Sequence, residues 1–439
     1  MHKWRQVISM AEKEKKKFQN PGWFRLDNAG ILFPGQNTSK WSNIFRFSIE
    51  LKEDVNPEIL KQALVNVMPR FPALAVRMRK GLFWYYLEKN PLPAPYVRED
   101  IQNPCYRVKY KEGDRFLFRV YYHEKRISVD LFHAISDGFG SANFTCTLVA
   151  EYLRLCGNEI PAGGFVKDIN EAPSPTELSD AFHQYARSKA GHSITDKHVY
   201  HPKGTRVPNH FVNFTSGIMS FSDIHRLSKE KGVTVTEFFA ALLMDIHCQK
   251  QLRENRNQKE VSVQVPINLR NIYPSDTMRN FSVCLMAKVD PRLGEYSFDE
   301  LLQQVALQLR LERDEKKLNA MISQHVKLEK SPFLKYLPLP LKNFGLSVAT
   351  VVAAEQTTTA YLSNLGPLKL PPEMEEHIEK IVFTPGPGIH TAARCGFGTF
   401  KDKLIFTFAN IFEEADLERE FFTRLVKMGV HVKIESNRS

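Results

Sequence analysis

The stretch SVDLFHAISDGFG, Ser128 to Gly140, constrains the fold more than any other part of the chain. Ile127, Val129 and Leu131 alternate with polar residues, the period-two pattern of a strand with one buried face. His133 falls on the same face as those three, so its ring is expected to point inward. Gly138 permits a tight turn. Phe144, Leu148, Tyr152 and Leu155 then recur at helical spacing, and Gly157 can stop that helix. A strand, a short loop and an amphipathic helix therefore follow one another, with His133 and Asp137 on the junction. Junctions of this kind suit reactive side chains, because the strand fixes position and the loop gives access. Taken singly, His133 reads as a satisfied core histidine or as a base, and Asp137 as a turn residue.

The surrounding chain supplies the partners for such a unit. Asn43 to Leu51 alternates as a strand, and Asn56 followed by Pro57 starts a helix whose apolar stripe is Leu60, Ala63, Leu64, Val67 and Met68. GLFWYYLE, RFLFRVYY and RISVDLF read as further strands, the last two around a polar turn. Residues from Gly157 to about Asn213 are rich in Pro, Gly, Ser and His, with a short helical stretch near Glu177 to Ala190, and 176–213 read as a crossover between a first subdomain, 1–175, and a second, 214–439. The second has helices at SFSDIHRLSKEKG, at VTVTEFFAALLMDIHCQKQL (capped by Thr234 or Thr236) and at FDELLQQVALQLRLERDEKK. Its strands are VSVQVPINLRN, FSVCLMAKVD, TAYLSNLG, KIVFTPG, ARCGFGTF and KLIFTFAN, and ADLEREFFTRLVKMG is its last helix. Each half mixes helices with a mostly antiparallel sheet.

Composition narrows the chemistry. The 439 residues are 43% hydrophobic and 25% charged, enough for two cores. A net charge of +11 favours acidic partners: nucleic acid, anionic membrane, phosphorylated cofactors or an acidic carrier protein. No nucleic-acid recognition motif accompanies that charge, so nucleic acid is not an expected partner. The run Lys13 to Lys17, broken by Glu14, reads as a solvated helix face. Cys105, Cys146, Cys156, Cys248, Cys284 and Cys395 form no C-x-x-C pair, so no metal site is expected. Their scatter suggests reduced thiols and a cytoplasmic protein. MHKWRQVISMAEKEKKK lacks the apolar core of a signal peptide. FGLSVATVVAA is too short to span a bilayer. FLKYLPLPLKNFG, just before it, reads as a Pro-broken core segment; the alternatives are peripheral membrane contact or the wall of a substrate entrance. No G-x-S-x-G elbow, P-loop, G-x-G-x-x-G or H-E-x-x-H occurs.

His-x-x-x-Asp-Gly, present here as HAISDG, resembles the signature of acyltransferases built like chloramphenicol acetyltransferase, which include BAHD enzymes and peptide-synthetase condensation domains. NPEILKQALVNVMPRFPALAVR, GVTVTEFFAALL, VPINLRNIYPSDTMRNFS and YLSNLGPL resemble further family elements, in family order, from about Asn43 onward. The Ser-Asn-Leu-Gly strand is similar to that of the alcohol acetyltransferase branch. The plant-type Asp-Phe-Gly-Trp-Gly motif is absent; CGFGTF sits near its place without the aspartate and tryptophan. Phe132 stands where many condensation domains carry a second histidine.

The resemblance implies an α/β fold of the α+β type: two chloramphenicol-acetyltransferase-like subdomains with a channel between them. It implies His133 as general base, and Asp137 as a brace paired with Arg270. Gly138 supports the same loop, and Ser363 and Asn364 are candidates for the oxyanion or the channel wall. The implied enzyme is an acyl-CoA-dependent acyltransferase acting on an alcohol without an acyl-enzyme. It holds no permanent cofactor, and acyl-CoA is its cosubstrate. Two alternatives stand beside it. One is a condensation-like enzyme that takes its donor from an acyl carrier protein and accepts an amine or hydroxyl. The other is a non-catalytic acyl-CoA binding module.

Overall fold

Two large sheets, drawn mainly from different halves of the sequence, organise the molecule. The computed structural model describes residues 22–38, 42–101, 103–187, 199–208, 211–254, 258–350, 357–388 and 393–438. The first sheet has five strands, in the order Ile378–Thr384, Ile44–Leu51, Arg126–Phe132, Phe118–His123, Val97–Glu99. The second has seven: Ser282–Val289, Val261–Asn268, Ala360–Pro367, Ala393–Phe400, Lys403–Asn410, Asn213–Ser220, Lys433–Ser436. Most pairs are antiparallel. Ala360–Pro367 runs parallel to both neighbours, and Val97–Glu99 parallel to Phe118–His123. A small third sheet joins Trp23–Arg25, Tyr85–Lys89 and Val76–Lys80.

The strand Ile378–Thr384 departs from the expected division at residue 214. It pairs antiparallel with Ile44–Leu51 and places Ile378, Ile381 and Phe383 in the core of the first sheet. Its alternation identified it as a strand, but period two carries no information about the partner.

The helices follow their local chemistry. Asn56 caps Pro57–Val67 by accepting from the Glu58 and Ile59 amides, and the helix buries Leu60, Ala63, Leu64 and Val67. Thr234, rather than Thr236, caps Val235–Arg253 in a reciprocal box with Glu237. The long helical segment after Ser297 is two helices. Phe298–Glu312 ends, and Asp314 caps a new one, Glu315–Lys330, by accepting from Lys316 and Lys317.

Gly138–Leu155 is less amphipathic than its spacing suggested. Ser141, Asn143, Thr145 and Thr147 are buried along with the apolar stripe, while Leu155 is exposed. Thr147 Oγ1 bonds the Asn143 carbonyl and receives the Lys167 amide, which satisfies it inside the core.

FLKYLPLPLKNFG is not a core segment. It forms two helices, Pro332–Tyr336 and Leu339–Thr350, that expose Tyr336, Leu341 and Phe344. The six cysteines are free thiols. Among the described residues no helix is long and apolar enough to cross a membrane.

Candidate active site

His133 directly follows the last residue of the strand Arg126–Phe132, and its amide continues the ladder to the Asn43 carbonyl at 3.0 Å. The ring stacks on Phe33, with centroids 4.7 Å apart and planes at 25°, and meets the edge of Phe45 at 5.1 Å. One face is therefore apolar, and the residue as a whole is half-buried.

Nδ1 of His133 lies 2.9 Å from Oδ1 of Asn280. The amide group of Asn280 has one workable orientation. Its Nδ2 is 2.9 Å from the His133 carbonyl and 3.1 and 3.2 Å from the two oxygens of Asp27. Those atoms accept, so Nδ2 must donate to them, and Oδ1 must accept from Nδ1–H. The neutral imidazole then carries its proton on Nδ1 and its lone pair on Nε2. Among the described residues no protein group donates to Nε2. Burial pushes the His133 pKa down; Asp137, Asn280 and Asp27 each pull it back up. The net lowering favours the neutral ring.

Asp27 is fully buried and anchors the other end of this chain of bonds. It accepts from the Gly30 amide at 2.6 Å and the Asn280 amide at 3.3 Å, and lies 3.4 Å from Arg279 Nε. Neither Asp27 nor Asn280 was singled out from the sequence. Asn280 sits in MRNFS, a turn noted there only as a family element. Asp27 lies far from the motif and carries no local signal.

Asp137 points away from the imidazole. One oxygen caps the following helix, accepting from Phe139 and Gly140 amides. The other accepts from Arg270 Nη1 at 2.8 Å and from the Phe281 amide at 2.9 Å. Arg270 also donates to the Thr277 carbonyl and to Asn268 Oδ1, and its guanidinium lies 4.6 Å from the centre of the Phe139 ring. The pair ties the HAISDG loop to the turn between Val261–Asn268 and Ser282–Val289. Both side chains are nearly inaccessible to solvent.

The remaining expected residues separate. Gly138 has no positive φ, so it is not there for a left-handed turn. A Cβ at Gly138 would come 3.2 Å from Leu365 Cδ1, a contact that a flexible methyl can relieve. Gly140 is the demanding position: a Cβ there would overlap Ser136 Oγ and the Met278 carbonyl. Ser363 and Asn364 point to opposite faces of their strand, as alternation requires. Ser363 shares its face with Leu365, the side chain that reaches Gly138. Asn364 is exposed on the other face, with Nδ2 bonded to Thr236 Oγ1 at 3.0 Å and Oδ1 holding the Gly366 amide at 2.7 Å.

One group among the described residues has metal-ligand chemistry: Asp180, His183 and Glu329, with donor atoms within 4.8 Å of one another. Its members already bond to each other and to Asn28: His183 Nε2 lies 3.0 Å from Glu329, and Asn28 donates to both carboxylates.

No family model matches the chain, and no curated protein matches it. Solved structures match over nearly its whole length. Polyketide synthase associated protein 5 from Mycobacterium tuberculosis has a TM-score of 0.60 and 15% identity, over 92% of this chain and 97% of its own. TRI101 from F. sporotrichioides, solved with coenzyme A and T-2, has 0.59 and 12%, over 94% and 99%. The first condensation domain of the CDA synthetase has 0.53 and 13%, over 92% and 95%. The likeness shows the fold. This chain has the α+β architecture of condensation domains and of the trichothecene acetyltransferases, with mostly antiparallel sheets flanked by helices.

Proposed function

We propose that the chain moves an acyl group from a coenzyme A thioester to an alcohol, with His133 as general base. The observation that carries this reading is the locked tautomer: Asn280 holds the proton on Nδ1 and leaves Nε2 as an open lone pair. A hydroxyl hydrogen-bonded to Nε2 loses its proton as its oxygen attacks the thioester carbonyl. The carbonyl oxygen takes the negative charge of a tetrahedral intermediate. When the C–S bond breaks, the imidazolium returns the proton to the departing thiolate. The products are the ester and free coenzyme A, and no bond to the enzyme forms. Base catalysis of this kind supplies ~10²–10⁴-fold. Asn280 Oδ1, accepting from Nδ1–H, stabilises the imidazolium while it exists.

Asp137 and Arg270 hold the loop and take no proton. Ser363, on the strand face shared with Leu365, is the candidate donor to the oxyanion. Support for coenzyme A as the donor carrier comes from the shared fold with TRI101, solved with that molecule. A carrier-protein donor with an amine or hydroxyl acceptor is the second reading. It is favoured by the same fold in condensation domains and by the net charge of +11.

The test is thiol release from acetyl-CoA and longer acyl-CoAs across a panel of alcohols, with the ester identified by mass. His133→Ala abolishes turnover on this reading. Turnover by that variant at the wild-type rate, or no transfer from any donor to any acceptor, would overturn it. Equal concentrations of acyl-CoA and acyl carrier protein separate the two donors.

A further inference from the structure

The helix Leu339–Thr350 buries Leu339 but presents other apolar side chains to solvent. Leu341, Phe344 and Val348 fall three and four apart, on one side, and are 60%, 72% and 47% exposed. Its lysine points inward. Lys342 is buried, with Nζ 2.7 Å from the Phe83 carbonyl and 3.1 Å from the centre of the Trp84 ring. Leu339 in the core and the bond from Asn343 to the Tyr85 hydroxyl complete the attachment, and the side carrying Leu341, Phe344 and Val348 is exposed. Leu82 and Tyr336 extend that side: the Leu339 amide bonds the Leu82 carbonyl, and both side chains are exposed.

Three lysines lie on the segments leading into this helix. Lys327, Lys330 and Lys335 are exposed and form no ion pair among the described residues. The one acidic residue between Val326 and Thr350 is Glu329, already engaged by His183 and Asn28.

We propose that these helices dock the protein on an anionic bilayer surface. Leu341, Phe344 and Val348 enter the boundary between headgroups and acyl chains, and the three lysines meet lipid phosphates and carboxylates. The length fits a helix lying in the interface rather than crossing it. Exposed apolar side chains with exposed lysines on the segments before them suit a lipid surface better than a second copy of this chain. A symmetric pairing through this face would bring the two sets of lysines together. The docking helix packs on Phe33–Gln36, with Asn343 Oδ1 close to Gly35, and Phe33 stacks on His133. The docking helix thus stands between the lipid surface and the element that supports the histidine.

The experiment is flotation of the full chain with vesicles of phosphatidylcholine alone and of phosphatidylcholine mixed with phosphatidylserine. Its readout does not depend on catalysis. The chain is expected to float with the mixed vesicles and to be released by added salt. Leu341→Ser with Phe344→Ser abolishes flotation, while thermal unfolding stays at the wild-type temperature because both residues are exposed. Lys330→Glu alone weakens binding by about fivefold or more, the worth of one lysine near such a surface. Three results would each overturn the proposal: no flotation with mixed vesicles, undiminished flotation of the double serine variant, or a wild-type dimer in sedimentation that the double serine variant converts to monomer.

Discussion

Nδ1 of His133 and Oδ1 of Asn280 lie 2.9 Å apart, although 147 positions separate them in the sequence. The contact joins the end of a strand in one sheet to the turn before a strand in the other. It is held from behind by Asp27. The proton position on the imidazole is thus a property of the tertiary fold, not of the HAISDG loop alone.

Asn280→Ala tests that dependence. The variant frees the ring to hold its proton on either nitrogen, so kcat is expected to fall by about 10²-fold, with little change in KM for either substrate. The pH profile moves in a definite direction. Asn280 raises the His133 pKa by accepting from Nδ1–H, so its removal lowers that pKa further. The base works when deprotonated. The acid limb of the rate profile therefore shifts to lower pH, while the plateau drops. An unchanged kcat with the limb in its original place would remove Asn280 from the site.

Asp137 and Arg270 make a second long-range pair with a different role. Asp137→Ala leaves a buried guanidinium without its carboxylate and strips the helix of its cap. Loss of a partner from a buried pair costs about 3–5 kcal/mol. Replacing both residues, Asp137→Asn with Arg270→Met, keeps a capping acceptor and leaves no orphan charge. In urea unfolding the double variant should be more stable than Arg270→Met with Asp137 intact. If Asp137 moved a proton in the reaction, the double variant would stay as inactive as Asp137→Ala however well it folds.

The sequence revealed the strand–loop–helix junction that carries His133 because its cues are local. Alternation from Ile127 to Leu131 aims the histidine, and the Asp137 carboxylate followed by glycines starts a helix. It suggested Arg270 through resemblance, and the structure puts that guanidinium on Asp137. Asp27, Phe33 and Asn280 left no such trace, because each acts through a neighbour remote in the chain. The same limit hid the partner of Ile378–Thr384. It also explains why FLKYLPLPLKNFG read as a core segment: apolar composition does not say which residues meet the core, and here Leu339 does while Lys342, finding Phe83 and Trp84, leaves Leu341 and Phe344 in solvent.

The two glycines of the loop should respond in opposite ways. A Cβ at Gly140 has nowhere to go, since the Met278 carbonyl and Ser136 Oγ occupy its place and are themselves hydrogen-bonded. Gly140→Ala is expected to cost ~1–3 kcal/mol of stability from overpacking and to displace the turn that carries Asn280, lowering kcat as well. Gly138→Ala meets a leucine methyl that can rotate aside and should remain within ~1 kcal/mol of wild type. Thermal unfolding and kcat of the two variants, measured side by side, decide the assignment.

His247 gives the molecule an acid sensitivity unrelated to its chemistry. It is 1% exposed on the helix Val235–Arg253, and neither ring nitrogen has a partner among the described residues. Burial first, then Lys250 and His201, lowers its pKa to about 3. An unfolded chain protonates the same ring near pH ~6.5. Between those values the unfolded state binds a proton that the native state refuses. Stability therefore rises with pH across that window and is lost as pH falls below the unfolded value, by up to ~1.4 kcal/mol per pH unit. His247→Phe removes the titrating group and keeps a ring in the core. Urea midpoints at pH 7 and pH 5 should differ less for the variant than for wild type. Equal differences would mean that His247 finds a proton acceptor or water in the native state.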